Sequence, residues 1–391
     1  MTKPAHSVNC EGAAPEEERA LGGRMNADET VIRRREGGLG RLVLDRPQAL
    51  NALNLRMIRE LQAAFDGFLG DPDVGVVSLE GAGPRGFCAG GDIRAVHASG
   101  RSASGEAEAF WREEYAFIAD LAHADKPVVA LMDGIVMGGG AGLSMHVAHR
   151  VVTERTRFAM PEVGIGFLPD VGATFRLPRS PGGLGRYLAL TGNTVGPADV
   201  IAAGLADAQV PAARLGELAA ALAALSVPAS NADVRSVIAS FATEPAPGLF
   251  AAQAETIRVA FTAGGAAAAA AVLAKIGPGH PSESFGAETC ALLATRSPFS
   301  LRLTETLLDL GAASNRLEDC LVREFRAACH CLTVEDFYEG VRAAVIDKDR
   351  RPRWPSAGDG AADLDIDRVL SPIAGTPDPV FARADRPPAH H

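Results

Sequence analysis

The chain has 391 residues, 47% hydrophobic and 22% charged, with a formal net charge of -10. That length holds one large domain or two ordinary ones around a sizeable core, and the acidic balance argues against nucleic acid as main partner, because phosphate contacts need clustered Lys and Arg. No run reaches the roughly eighteen apolar residues of a membrane span. Even Ala266 to Ala274 ends at Lys275, so no membrane partner is expected.

Residues 1–29 carry Glu16-Glu17-Glu18 and lack an apolar segment. They fit neither a secretory signal nor an Arg-rich transit peptide, and read as a disordered leader. Thr30 to Arg35 and Gly40 to Leu44 read as a hairpin. Asn51-Ala52-Leu53 opens an amphipathic helix, with Leu55, Ile58, Leu61, Phe65 and Phe68 on one face, ending at Gly70-Asp71-Pro72. The strand Val74 to Leu79 then leads to the loop Phe87 to Ile93, and a helix carries Phe110, Phe117, Ile118 and Leu121. A second strand, Val128 to Met132, enters Gly138-Gly139-Gly140 and the helix Ala141 to Ala148. Strand, glycine turn and helix thus occur twice, the pattern of an α/β domain over 30–212.

Helices take over after Val210: Leu215 to Leu225, Val234 to Phe241, Ala266 to Ile276, Phe285 to Thr295 and Leu301 to Leu310. They define an α-helical region over 213–355, and the Pro, Asp, Gly and Ala of 356–391 predict a poorly ordered tail. The six cysteines lack the paired spacing of a zinc site or a disulfide framework, so no metal is expected and a reducing cytoplasm is the simplest setting.

The chemistry concentrates in Met160 to Gly172, where Glu162 and Asp170 stand among Gly, Pro and apolar residues. Carboxyls in such a wall are desolvated and become usable as bases or nucleophiles. Asp170 also reads as a turn or capping residue, and Glu162 as a partner of Arg157 or Arg179. The two glycine loops, Gly90-Gly91 and Gly138-Gly139-Gly140, lack the Lys-Ser/Thr ending of a nucleotide loop. If they converge, one N–H from each could hold a developing oxyanion, which suits an acyl substrate. Ser144 is a poor nucleophile because His146 stands where a serine-hydrolase elbow needs glycine, and Cys88 reads as a core residue beside its loop.

These segments, with Leu44-Asp45-Arg46-Pro47 and Asn51-Ala52-Leu53, resemble the crotonase, or enoyl-CoA hydratase/isomerase, superfamily. The resemblance implies a crotonase-like spiral core of ββα repeats followed by an α-helical C-terminal region. It also implies an acyl-CoA substrate, coenzyme A being part of that substrate and no separate cofactor being needed. The oxyanion donors would be the N–H groups of Gly91 and Gly139. Hydratases of the superfamily use two glutamates; Glu162 matches one position and Gly142 occupies the other.

Phe110 to Tyr115, Phe167 to Gly172, Ser297-Pro298-Phe299-Ser300-Leu301 and Asp336 to Asp349 are similar to the 3-hydroxyisobutyryl-CoA hydrolase branch. That resemblance implies thioester cleavage in valine catabolism. Glu162 would be nucleophile or general base, Asp170 would bind the 3-hydroxyl or assist proton transfer, and Glu114 would line the acyl pocket. Lys348 reads as a helix C-cap or a coenzyme phosphate contact, and a homo-oligomer stays open. The rival expectations are an enoyl-CoA hydratase or isomerase, and a catalytically silent acyl-CoA-binding protein.

Overall fold

The computed structural model describes residues 29–262, 264–355 and 364–384; the predicted leader, Glu29 apart, lies outside them. Strands β1 (Val31–Glu36) and β2 (Leu39–Leu44) form the expected antiparallel hairpin. Seven strands follow: β3 (Val76–Gly81), β4 (Gly86–Cys88), β5 (Val128–Met132), β6 (Ile135–Met137), β7 (His149–Val152), β8 (Arg157–Ala159) and β9 (Ala208–Gln209). They sort into a six-stranded sheet ordered β1-β2-β3-β5-β7-β9 and a three-stranded sheet ordered β4-β6-β8. Every pairing but β1 with β2 is parallel. Each of three successive strand pairs gives one strand to the large sheet and the next to the small one, so the chain advances as a spiral of ββα turns.

Helices α1 (Leu55–Gly70), α2 (Ile93–Ser102), α3 (Glu106–Ala122) and α4 (Gly139–Met145) connect the first turns. Helix α1 starts later than the sequence predicts. Asn54 caps it by accepting from the Met57 amide, and Met57, Ile58, Leu61, Phe65 and Phe68 are its buried stripe. Asn51 lies outside the helix with φ 56° and is fully buried, its amide donating to the carbonyls of Ala82 and Gly86. It ties the turn before α1 to the start of β4, a role that helical periodicity does not reveal.

Short helices α5 (Ala173–Arg176), α6 (Leu184–Thr191) and α7 (Pro197–Ala202) precede α8 (Leu215–Ala223) and α9 (Asn231–Phe241). Then come α10 (Leu249–Phe261), α11 (Ala266–Leu273), α12 (Glu283–Ala294), α13 (Pro298–Ala312), α14 (Leu317–Cys331), α15 (Glu335–Val341) and α16 (Ile366–Val369). The large sheet is covered on both faces. Val128, Ala130 and Met132 face the main core, whereas Val129 and Leu131 face a second cluster with Leu218, Leu222, Val234 and Ile238 of α8 and α9. A strand buried on both sides is apolar throughout, which is why β5 reads as an uninterrupted hydrophobic run.

The composition-based expectation of a poorly ordered tail over 356–391 is corrected for 364–384. Val369 of α16 is buried, Arg326 on α14 binds both Asp378 and the Leu370 carbonyl, and Arg383 pairs with Asp120. A few anchoring side chains fix a segment whose average composition is that of a loop.

Candidate active site

The small sheet explains how distant sequence motifs meet. Strands β4, β6 and β8 are parallel neighbours, so the segments leaving their C-terminal ends emerge at one edge. Those segments carry Gly91, Gly139 and Glu162, and the edge beyond strand C-termini is where parallel sheets place ligands.

The two glycine loops converge as expected. Leu53 bridges Gly91 in parallel fashion, with the Leu53 amide donating to Gly90 and the Asp92 amide donating to Leu53. That pattern uses the groups on either side of Gly91 and turns its own N–H the other way. Gly139 is the first residue of α4, so its N–H has no acceptor within the helix. A Cβ placed on Gly139 would lie 3.5 Å from the Gly91 nitrogen and 2.5 Å from Oε1 of Glu114. Only glycine leaves this approach open. Oε1 of Glu162 lies 3.0 Å from the Cβ position of Gly138, so Glu162 and Glu114 both border the Gly138-Gly139 turn.

Asp170 joins them through helix α3. The Tyr115 hydroxyl donates to Oδ2 of Asp170 at 2.6 Å, and its neighbour Glu114 points inward from the same helix. Glu114, Glu162 and Asp170 are 2%, 6% and 5% exposed, so three carboxyls are buried near one another, with the Asp170 charge acting on both glutamates. Trp111 stacks on Phe167 at 5.5 Å, and Phe167 contacts Phe337 of α15, forming an aromatic wall beside them.

Burial dominates the electrostatics. Desolvation, and after it the Asp170 charge, holds Glu162 well above the usual carboxylate range, and the same two causes raise Glu114. Desolvation pushes Asp170 up to about 7, against the stabilising Tyr115 hydrogen bond. Like charges this close in a low dielectric do not all ionise, so the cluster retains protons near neutrality. Among the described residues, buried Oε1 of Glu114 and Oε2 of Glu162 have no hydrogen-bond partner, which leaves two acceptors for a polar group to satisfy.

Asp170 is held by a residue with no signal in the sequence. The Glu324 carboxylate on α14 accepts from the Gly172 amide at 2.7 Å, the Thr174 amide at 2.9 Å and the Thr174 hydroxyl at 2.5 Å. Between Asp170 and Gly172, Val171 adopts φ 56°, a left-handed conformation costly for a β-branched residue. Its side chain fills the space above Gly142, where an added Cβ would lie 2.5 Å from the Val171 Cβ. A glutamate does not fit at 142 with the turn in this form.

The C-terminal motif supports the same loop from behind. Ser297 donates its hydroxyl to Asp336 and its amide to Val163, the residue after Glu162. Neither Ser144 nor Cys88 competes as a nucleophile. The Ser144 hydroxyl donates to the Gly140 carbonyl, and burial pushes the Cys88 thiol up to about 12. Lys348 sits in a left-handed turn after α15, at φ 60°.

Residues 39–369 match the enoyl-CoA hydratase/isomerase family. The chain belongs to that family. Similar curated members include proteins named 3-hydroxyisobutyryl-CoA hydrolase, mitochondrial. The one from Danio rerio is 38% identical over 89% of this chain and 91% of its own; that from Homo sapiens is 38% identical over 85% and 86%. Within the family the chain thus falls on the 3-hydroxyisobutyryl-CoA hydrolase branch. Among solved structures, a carnitinyl-CoA dehydratase from Mycobacterium thermoresistibile is 38% identical with TM-score 0.80, covering 89% of this chain and 98% of that one. An enoyl-CoA hydratase from Rhodobacter sphaeroides is 39% identical with TM-score 0.76, covering 88% and 98%. The crotonase-like α/β fold with a helical C-terminal region is therefore established. The mitochondrial names of the curated members overturn the expectation of a cytoplasmic enzyme. Free cysteines accord with any reducing compartment and do not single out the cytoplasm.

Proposed function

We propose that this family member hydrolyses 3-hydroxyisobutyryl-CoA to 3-hydroxyisobutyrate and free coenzyme A, a step of valine breakdown. The observation that carries the reading is buried Glu162 beside the Gly138-Gly139 turn, with Val171 occupying the space a second glutamate at 142 would need. Concerted hydration of a double bond needs an acid and a base on the two sides of the added water, and residue 142 supplies neither.

In this reading the thioester carbonyl oxygen lies between the Gly91 and Gly139 N–H groups, which stabilise the charge of the tetrahedral intermediate by about 3 kcal/mol per donor. Glu162, in the fraction that is ionised against the desolvation that raises it, either attacks the carbonyl carbon or takes a proton from an attacking water. The first route breaks the C–S bond to give a mixed anhydride, which water then opens. Either way the leaving thiolate takes a proton and departs as free coenzyme A. Asp170, at about 7, exchanges a proton near neutral pH and is suited to binding the 3-hydroxyl or assisting that transfer. Glu114 lines the acyl pocket.

Free thiol release from 3-hydroxyisobutyryl-CoA tests the assignment. Glu162→Gln should lower kcat by roughly 10²- to 10⁴-fold, and unchanged turnover would sink it. Loss of enoyl absorbance without thiol release would favour a hydratase, and tight binding without product a silent acyl-CoA-binding protein. A parallel assay with 3-hydroxypropionyl-CoA sets the acyl preference, where one methyl group discriminates about 10- to 200-fold.

A further inference from the structure

A second cavity, of about 880 Å³, lies between the C-terminal ends of α3 and α4 and the helices α5, α9 and α14. Its lining contains none of Glu114, Glu162, Asp170, Gly91 or Gly139, although His146 and Leu317 of its wall pack on Gly172. Its size is that of a small-molecule site.

Its lining departs from the character of the chain, whose net charge is -10. Five arginines, Arg150, Arg176, Arg179, Arg235 and Arg316, face only two carboxylates, Asp207 and Glu318. Arg150 is engaged by Asp207, Arg179 by the carbonyls of Gly311 and Ser314, and Arg316 by Glu318. That leaves two guanidiniums. Among the described residues, half-buried Arg176 binds only the Gly204 carbonyl, and exposed Arg235 has no ion pair. Desolvation and the neighbouring Arg150 depress Arg176 to about 10, a cost that a bound anion relieves.

His123 supplies an independent mark. It lines the cavity and is 6% exposed, its Nε2 pairs with Glu318 at 2.6 Å, and among the described residues its buried Nδ1 has no hydrogen-bond partner. The wall also carries His146, His149 and Asn315, and its apolar part includes Met145, Val147, Phe175, Ile238 and Leu317.

We propose that this cavity binds a small organic anion carrying carboxylate or phosphate groups, held by Arg176, Arg235 and His123 with its carbon skeleton on the apolar wall. It stands independently of the reaction assigned to Glu162. Guanidinium forks suit both anion types, so the choice between them falls to experiment.

Calorimetric titration of the full chain, with coenzyme A saturating so that the substrate site is filled, uses pyrophosphate as phosphate probe and citrate as carboxylate probe at matched ionic strength. One saturable site for at least one probe is expected. Arg176→Gln with Arg235→Gln should weaken it tenfold or more while thiol release is retained, and the corresponding lysine pair should recover part of the affinity. Absence of binding by both probes, an unchanged affinity in the glutamine pair, or binding seen only when coenzyme A is omitted would each overturn the proposal.

Discussion

Gly142 and Val171 compete for one volume: a Cβ on Gly142 would lie 2.5 Å from the Val171 Cβ and 2.9 Å from Cδ1 of Ile118. The residue after Asp170 is therefore packed against the helix that follows the glycine turn. The left-handed Val171 is the strained element of that contact.

Gly142→Ala should cost about 1–3 kcal/mol of stability through overpacking and lower thiol release at least tenfold by displacing Asp170. Val171→Ala in the same chain should restore most of both. A double-mutant cycle in urea unfolding reads the coupling; strictly additive free energies would show that the contact does not matter. Gly142→Glu is expected to yield no hydration of enoyl-CoA.

Tyr115→Phe removes the hydroxyl that stabilises ionised Asp170. Its carboxyl then moves further up, by about a unit. Where Asp170 ionisation limits turnover, that limb of the kcat/KM profile should shift to higher pH by the same amount. A profile superimposable on that of the parent would count against a role for Asp170 in the rate.

Stability should fall as pH rises towards 8. Asp170 and Glu324 are pushed up to about 7 and about 8 by burial, so between the unfolded carboxyl range near 4 and those values the folded chain binds more protons than the unfolded chain. Ionising them in place costs folding free energy, and the loss is complete above the folded values. Asp170→Asn should remove part of this slope and stabilise the protein at pH 8 by about 1–3 kcal/mol, measured as denaturant midpoints across pH. A slope identical to the parent would exclude Asp170 as its source.

Glu324→Ala leaves the Gly172 and Thr174 amides and the Thr174 hydroxyl without their acceptor. A loss of about 2–4 kcal/mol is expected, with kcat falling more than KM rises. Glu324→Gln retains an acceptor oxygen and should recover part of kcat. Equal losses in both variants would mean that a single acceptor oxygen at this position does not hold the turn.

Much of this architecture was legible in the chain. The doubled strand, glycine turn and helix marked an α/β domain, because apolar strands and glycine turns are local features, whereas the ββα repeat came only from the family resemblance; the acidic pair in an apolar segment pointed to the candidate site. The onset of α1 at Leu55 and the packed segment 364–384 were not legible. Asn51 is drawn from helical periodicity into a buried contact with β4, and Arg326 and Arg383 anchor a stretch whose composition resembles a loop.

What the sequence by itself determined is the family, the candidate site residues Glu162, Asp170, Gly91 and Gly139, and the glycine at 142, since these depend on which residues occupy motif positions. Only the tertiary structure decided how they interact. Parallel pairing of β4, β6 and β8 brings three loops to one edge, Tyr115 and Glu324 arrive from helices α3 and α14 to fix Asp170, and burial raises the carboxyls. Desolvation and like-charge repulsion arise from groups distant in the chain and adjacent in space, and no local pattern of residues encodes them.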